Sequence, residues 1–156
     1  MRPQSSQTPE RNPRHTPAVK LELTRRGDYA VRAMLALGQH GSDDWLSVPA
    51  VSAAMAIPER FLPRVMSDLV AAGLVVGRRG RTGGYRLARP AEGISLLDII
   101  AAAEPEPDPR VCILRGGPCG VNGRCAVHDA FSSAREAMLE RLGTTSLQEV
   151  VRGGLG

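Results

Sequence analysis

Residues 47–89 read SVPAVSAAMAIPERFLPRVMSDLVAAGLVVGRRGRTGGYRLAR, and this stretch decides the fold. Ser47 belongs to the residue types that cap helix N-termini, and Pro49 falls where a missing backbone N–H costs little, so a short helix is predicted there. After a tight turn, Pro58 opens a second helix that the apolar spacing carries to Ala72. Two short helices joined by such a turn predict a helix-turn-helix.

The second helix is predicted to be amphipathic. Pro63 removes a backbone hydrogen bond inside it, so we expect the helix to start late or to bend there. Arg60 and Arg64 lie on its polar face, and we expect them to approach the major groove of DNA. Its apolar positions are Phe61, Leu62, Val65, Met66, Leu69 and Val70.

The segment after this helix predicts a β-hairpin. Residues 74–76 and 85–88 read as strands, and the glycine-rich residues 77–84 read as the loop between them. Five arginines and no acid lie in residues 74–90. Like charges repel in a folded hairpin, whereas a phosphate backbone favours them through counterion release. We therefore interpret the hairpin as the wing of a winged helix, in preference to a solvated basic loop.

Particular residues of the wing are candidates for DNA contact. We expect the arginines to bind phosphate or the minor groove, and the glycines to let the backbone come close. The candidates are Arg78, Arg79, Arg81, Gly83, Gly84 and Tyr85.

Helices are predicted on both sides of this unit. Thr24 would cap a first helix that runs to about Leu37 and ends at Gly38 and Gly41. Ser95 with Asp98 resembles a capping box for the helix LLDIIAAA.

The C-terminal part predicts a long helix over residues 126–142, stopped by Gly143, and then a short helix for which Thr145 and Gln148 form the capping box. The long helix carries an apolar stripe that this small domain cannot cover, so a second copy of the chain is expected to cover it.

Composition narrows the class of protein. The chain has 156 residues, of which 42% are hydrophobic and 3% aromatic, and no run of eighteen apolar residues occurs. One domain with an extension, without a membrane span and located in the cytoplasm, is therefore expected. Residues 1–19 have no hydrophobic periodicity and are predicted to be disordered.

The net charge changes sign along the chain. Residues 1–20 carry +3, residues 21–90 carry +4 and residues 91–156 carry −3. A basic first half indicates a polyanionic partner, which for a helix-turn-helix is double-stranded DNA.

All three cysteines lie in the loop CILRGGPCGVNGRCAVH, residues 112–128. Six residues separate Cys112 from Cys119, five separate Cys119 from Cys125, and His128 would share a helix face with Cys125. Thiolates with one imidazole suit zinc or an iron–sulfur cluster, and the wide glycine-rich spacing favours the cluster. Buried free cysteines remain the alternative, whereas a disulfide framework is disfavoured because three is an odd number.

Other classes fit the sequence less well. An electron carrier would use the cysteines but would not need an arginine-rich wing. A zinc-binding or cofactor-free repressor of the same fold would keep the wing. An enzyme is not expected, because no nucleophile with a base at motif spacing occurs.

Four segments together carry a family resemblance: LTRRGDYAVRAMLAL (residues 23–37), GLVVGRRGRTGGYRLAR (residues 73–89), the cysteine loop, and the ending TSLQEVV. They resemble the IscR/NsrR family of winged-helix transcription regulators over residues 21–151. The resemblance implies a homodimer, held by the helix after the cysteines, that binds a palindromic operator. It also implies an iron–sulfur cluster that controls DNA affinity.

The resemblance also implies ligands for the cluster. Cys112, Cys119 and Cys125 match the cluster cysteines of the family. His128 matches the fourth ligand of members with a two-iron cluster, and Asp28 matches a ligand that the other subunit supplies in a four-iron, nitric-oxide-sensing member. The gap of six residues after Cys112 departs from the usual five or seven. We take His128 and a two-iron cluster as the expectation, with Asp28 and a four-iron cluster as the alternative.

The sequence thus predicts a mainly α fold with a small β-hairpin wing and a long C-terminal dimerisation helix. The expected parts are a basic tail (residues 1–20), a winged helix-turn-helix (21–90), a linker helix with the cysteine loop (91–124), and the dimerisation and terminal helices (125–156). The expected function is that of a DNA-binding transcription regulator controlled by an iron–sulfur cluster.

Overall fold

The computed structural model describes residues 22–41, 44–105 and 126–154. Its fold is mainly helical with one two-stranded antiparallel hairpin, which confirms the predicted fold class. The elements in chain order are α1 (Arg25–His40), α2 (Val48–Met55), a 3-10 turn (Glu59–Phe61), α3 (Leu62–Ala71), β1 (Val75–Arg78), β2 (Gly84–Leu87), a 3-10 turn (Ala91–Gly93), α4 (Leu96–Ala103), α5 (Ala126–Thr144) and α6 (Leu147–Gly153).

Helix α1 lies at the centre of the fold, and helices α2, α3, α4 and α6 all pack against it. The Thr24 hydroxyl accepts a hydrogen bond from the Gly27 N–H at 3.2 Å, as the predicted N-cap should. The helix continues to His40, however, so the predicted end at Leu37 is one turn too early. Gly38 is helical and lies where α6 approaches closely: a Cβ there would lie 2.9 Å from Cγ2 of Val151 in α6.

The helix-turn-helix forms as predicted, with a delayed second helix. Ser47 caps α2 by accepting from the Ala50 N–H at 3.3 Å, and Ala56 turns the chain with a φ of 51°. A 3-10 turn then precedes α3, and Pro63 occupies the first turn of α3, where its missing N–H has no helical partner to lose. This confirms the late start expected from Pro63. The ends of the predicted apolar stripe, Phe61 and Val70, are exposed.

The hairpin is anchored to the segment that leads into α2. Val75 pairs with Leu87 and Arg78 with Gly84 in the antiparallel register. Leu46 forms an isolated antiparallel β-bridge with Tyr85 of β2. Its N–H donates to the Tyr85 carbonyl at 2.9 Å, and its carbonyl accepts from the Tyr85 N–H at 2.8 Å. The hairpin is therefore tied to the start of the helix-turn-helix.

The predicted capping box of Ser95 and Asp98 is confirmed at the start of α4. Prediction of the second box was wrong, because Ser146 and Glu149, not Thr145 and Gln148, cap α6. The Thr145 hydroxyl instead donates to the Arg141 carbonyl in the preceding helix at 2.8 Å.

Helix α5 runs through Gly143 to Thr144, so the prediction that Gly143 stops it was also wrong. It packs against α4 and leaves part of its apolar stripe uncovered, since 39% of Val127 and 42% of Phe131 are exposed. Of the helices within the described ranges, none is long and apolar enough to cross a membrane.

Candidate nucleic-acid interface and cluster ligands

A cleft of about 610 Å³ opens between the start of α2, the outer face of α3 and the hairpin. Its lining combines hydroxyl groups, small apolar side chains and the basic hairpin. The side chains that give it this character are those of Ser47, Pro63, Ser67, Val70, Arg78 and Arg79. The cleft thus joins the helix-turn-helix and the wing in one basic surface.

The two arginines predicted for the major groove lie at and just after the turn that opens α3. The Arg60 guanidinium lies over the Phe61 ring, 4.8 Å from its centroid, and 36% of Phe61 is exposed. The side chain of Arg64 is 74% exposed, and its Nε is 3.6 Å from Oδ1 of Asp68. Stacking and a loose ion pair each orient a guanidinium while leaving donors open to solvent.

Asp68 connects α3 to α1. Its carboxylate accepts a hydrogen bond from Nε of Arg26 at 2.7 Å and is only 14% exposed. Arg64 approaches the other carboxylate oxygen from within α3. One half-buried acid therefore fixes α3 against α1 and orients an arginine on the outer face of α3.

The five hairpin arginines do not all lie free in solvent. Arg89 pairs with Asp98 at 3.2 Å. Arg79 and Arg81, near the tip, are exposed, and neither forms an ion pair with any residue that the structure describes. The hairpin tip thus carries positive charge that no acid of the described residues neutralises.

Trp45 contacts two arginines of the hairpin, and the sequence did not predict this contact. The guanidinium groups of Arg78 and Arg86 lie 4.5 Å and 4.9 Å from the centroid of its indole ring. Arg78 also donates through Nη2 to the Thr82 carbonyl at 2.5 Å. No periodicity or motif links Trp45 to residues more than thirty positions away, so only the rarity of aromatic residues in this chain could have drawn attention to it.

The wing glycines allow close contacts within the protein itself. A Cβ on Gly83 would lie 2.2 Å from the Arg78 carbonyl oxygen, and one on Gly84 would lie 2.4 Å from the Leu46 carbonyl oxygen. Tyr85 follows and is half-buried. Its N–H donates a hydrogen bond to the Leu46 carbonyl, and its own carbonyl accepts one from the Leu46 N–H. These residues therefore shape the hairpin, in addition to the DNA contact proposed for them.

Asp28 lies in the first turn of α1 and already has a partner. Nε of Arg32 donates to Oδ1 of Asp28 at 3.0 Å, and Nη2 of Arg32 donates to Oδ2. Nη1 of Arg32 also donates to the Met55 carbonyl at the end of α2, at 3.3 Å. The hydrogen bonds that Arg32 donates to the Asp28 carboxylate raise the pKa of Arg32 above its ordinary value.

Of the four expected cluster ligands, only His128 falls within the described residues. It is half-buried in the first turn of α5. Cys112, Cys119 and Cys125 lie in residues 106–125, which are outside the described ranges. Within those ranges, no group of three or more His, Cys, Asp or Glu side chains is arranged to hold a metal ion.

Comparison with known proteins agrees with this arrangement of helices and wing. The model of the Rrf2 family, described as iron-dependent transcriptional regulators, matches residues 23–153. The chain belongs to the Rrf2 family. This confirms the family resemblance seen in the sequence.

Relatives and solved structures support the same assignment. The HTH-type transcriptional regulator IscR of Xenorhabdus nematophila is 33% identical over 132 residues, which cover 85% of this chain and 80% of that protein. The structure of T. potens IscR has a TM-score of 0.70 at 25% identity and covers 85% of this chain and 88% of that one. CymR, described as the global cysteine regulator of B. subtilis, has a TM-score of 0.73 at 26% identity, covering 87% and 100%.

Family membership settles the broad function. This Rrf2 protein is a transcriptional regulator of a DNA-binding, winged-helix family. Its relatives are named as regulators, which confirms the prediction that the chain is not an enzyme.

Replacement of Gly84 by Ala tests the bridge that anchors the hairpin. The new Cβ would meet the Leu46 carbonyl, so both Leu46–Tyr85 hydrogen bonds should lengthen or break. We expect the opening free energy at these two amides to fall by about 1–3 kcal/mol, which is about a five- to hundredfold faster hydrogen exchange. Gly93→Ala is the control, because nothing lies within 4 Å of a Cβ there. Equal exchange rates in both variants would contradict the account.

Proposed function

We propose that this protein is a dimeric transcription regulator whose affinity for a palindromic operator is controlled by an iron–sulfur cluster. The observation that carries the proposal is the position of the cysteine loop. It connects α4, which packs against both α1 and the recognition helix α3, to α5, which begins at Ala126 directly after Cys125. A change in the loop therefore acts on helices that contact the DNA-reading unit. The regulator would act in the cytoplasm, on double-stranded DNA.

The DNA-binding surface consists of α3 and the wing. Arg60 and Arg64 would approach base edges in the major groove from α3, since arginine pairs best with guanine there. Arg79 and Arg81 at the hairpin tip would bind phosphate or the minor groove, because both are exposed and neither has an acidic partner among the described residues. Arg78 would contribute from the wall of the cleft.

The residue types around the loop fit an iron–sulfur cluster. Cys112, Cys119 and Cys125 would supply three thiolates, and His128 would supply an imidazole from α5. Thiolates with an imidazole suit iron and sulfide, and they do not suit hard cations. A bound cluster would supply a centre that reacts with oxidants or nitric oxide. We favour two irons, because His128 is free of any described ion pair while Asp28 is bound to Arg32.

The helices provide a path from the loop to the DNA. Residues of α5 lie against α4, and α4 in turn lies against α1 and α3. A shift of α5 would therefore change the angle between the DNA-binding unit and the rest of the dimer. A free-energy difference of only about 3 kcal/mol between two dimer geometries changes their ratio by about a hundredfold.

One finding supports a second candidate, a zinc-binding or cofactor-free repressor of the same fold. The structure of CymR matches this fold as well as IscR does, and its description as a cysteine regulator names no metal. Such a protein would keep the wing and the recognition helix unchanged. It would show neither the colour nor the nitric-oxide sensitivity of an iron–sulfur protein.

Dimerisation is tested on the uncovered stripe of α5. Phe131→Glu places a charge where we propose that the second copy packs, so the variant should be monomeric and should lose its preference for two half-sites over one. Ser133→Glu, exposed on the opposite side of α5, is the matched control and should remain dimeric. Sedimentation measures the oligomeric state, and band-shift assays measure the preference for two half-sites. A dimeric Phe131→Glu protein would exclude this interface.

The wing is tested by Arg79→Ala and Arg81→Ala. Both should weaken binding to operator and non-operator DNA alike, and each should reduce the slope of log affinity against log salt by about 0.9 per lost phosphate contact. Arg152→Ala removes the same charge from α6 and should leave the slope unchanged. If both variants have the same salt slope as the parent protein, the hairpin does not contact DNA.

The cluster is tested by anaerobic purification. The protein should be coloured and contain iron and sulfide in place of zinc. Cys119→Ala should lose colour and iron yet remain a folded dimer, because α5 packs on α4 and carries the proposed dimer surface. His128→Ala should alter the absorption spectrum, whereas His40→Ala, on the exposed end of α1, should not.

Control of DNA binding needs a separate measurement. Operator affinity should change at least about tenfold when the coloured protein is treated with oxidant or nitric oxide, and Cys119→Ala should not respond. A clear, iron-free preparation with the same affinity before and after treatment would leave the cofactor-free repressor as the function.

A further inference from the structure

We infer that Trp45 is a positioning residue of the DNA interface, whose indole ring holds Arg78 and Arg86 of the wing in the orientation that binds phosphate. The inference rests on the proposed role of the wing in DNA binding. It assigns a function to a residue outside both the recognition helix and the hairpin. It also explains how two arginines can lie side by side on a two-stranded hairpin.

The indole is fixed relative to the hairpin by the backbone next to it. Leu46, the following residue, exchanges two hydrogen bonds with Tyr85, at 2.9 Å and 2.8 Å. Tyr85 precedes Arg86 in β2 and faces Gly77, which precedes Arg78 in β1. Trp45 is therefore held beside both arginines by the β-bridge, and is not a side chain that reaches them by chance from a mobile loop.

The two arginines contact the ring in the way that cations contact aromatic faces. Distances of 4.5 Å and 4.9 Å from guanidinium carbon to ring centroid are within the range of cation–π interaction, for which tryptophan is the best partner. Stacking uses the face of a guanidinium and leaves its in-plane N–H donors directed outward. Arg78 uses one donor on the Thr82 carbonyl, at 2.5 Å, which further restricts its orientation.

Both arginines are costly for folding alone. They carry like charges onto one small element, and no acid of the described residues pairs with either of them. Nε of Arg86 is buried without a hydrogen-bond partner in the described structure, which adds a desolvation cost. Arg78 lines the cleft beside the start of α2 and α3. The guanidinium of Arg78, which has no acidic partner among the described residues, is what an anion in the cleft would use.

A purely structural role for Trp45 predicts a different result. If the ring only covers apolar surface, a leucine of similar apolar character should preserve DNA binding apart from any loss of stability. If it orients the arginines through its π face, leucine should impair binding and phenylalanine should restore part of it. The comparison of Trp45→Leu with Trp45→Phe therefore separates the two roles.

Trp45→Leu should weaken binding to operator and non-operator DNA by the same factor, about five- to tenfold, which corresponds to about 1–1.4 kcal/mol of binding free energy. The slope of log affinity against log salt should fall by about 1. The DNA affinity of Trp45→Phe should lie between that of Trp45→Leu and that of the parent protein. If Trp45→Leu fails to fold, the DNA affinity of Trp45→Phe is compared with that of the parent protein instead.

A double-mutant cycle decides whether Trp45 acts through Arg78. Arg78→Ala should have little further effect in the Trp45→Leu protein, whereas Arg79→Ala, at the exposed tip, should weaken binding equally in both backgrounds. Additive effects of Trp45→Leu and Arg78→Ala would overturn the inference. If Arg78→Ala and Arg79→Ala leave DNA binding unchanged, the proposed wing contact itself fails; if they weaken it while Trp45→Leu does not, only the inference fails.

Discussion

Burial of helix α1 is the constraint on which the other contacts depend. Five consecutive residues, Ala33–Leu37, are buried, so the helix is covered on nearly all sides and not only along one stripe. The elements that read DNA pack on one part of it, and α4 and α6 from the C-terminal half pack on another. The two halves therefore share one core, and under the proposed mechanism a movement in the C-terminal half would reach α3 through it.

The basic surface is organised by two different partners for arginine. Asp68 neutralises charge, because its half-buried carboxylate binds Arg26 and orients Arg64. Trp45 orients charge without neutralising it, because an indole face attracts a guanidinium but adds no negative charge. Helix α3 is thus attached to α1 by ion pairs. Arg78 and Arg86, by contrast, keep their positive charge, which would attract phosphate in the proposed interface.

Local signals in the sequence were sufficient for the secondary structure of the DNA-binding unit. Thr24, Ser47 and Ser95 cap helices as expected, and Pro63 delays α3, since each effect acts within one helical turn. Within this unit, errors arose where distant segments meet. Gly38 reads as a helix terminator but is retained for the approach of Val151, and the contacts of Trp45 with the wing join residues that no spacing rule connects.

The two candidate fourth ligands differ in the contacts that the protein would lose when each one binds the cluster. Asp28 holds Arg32, which also donates to the Met55 carbonyl, so withdrawal of this carboxylate would disturb the link between α1 and the end of α2. A half-exposed ion pair of this kind contributes about 0.5 kcal/mol, so the cost is small but falls on the helix-turn-helix. His128 lies in α5 and is bound to neither α1 nor α2 among the described contacts. Under the proposed function, ligation by His128 would leave the DNA-reading unit intact and would act on α5, the helix that the second copy would cover.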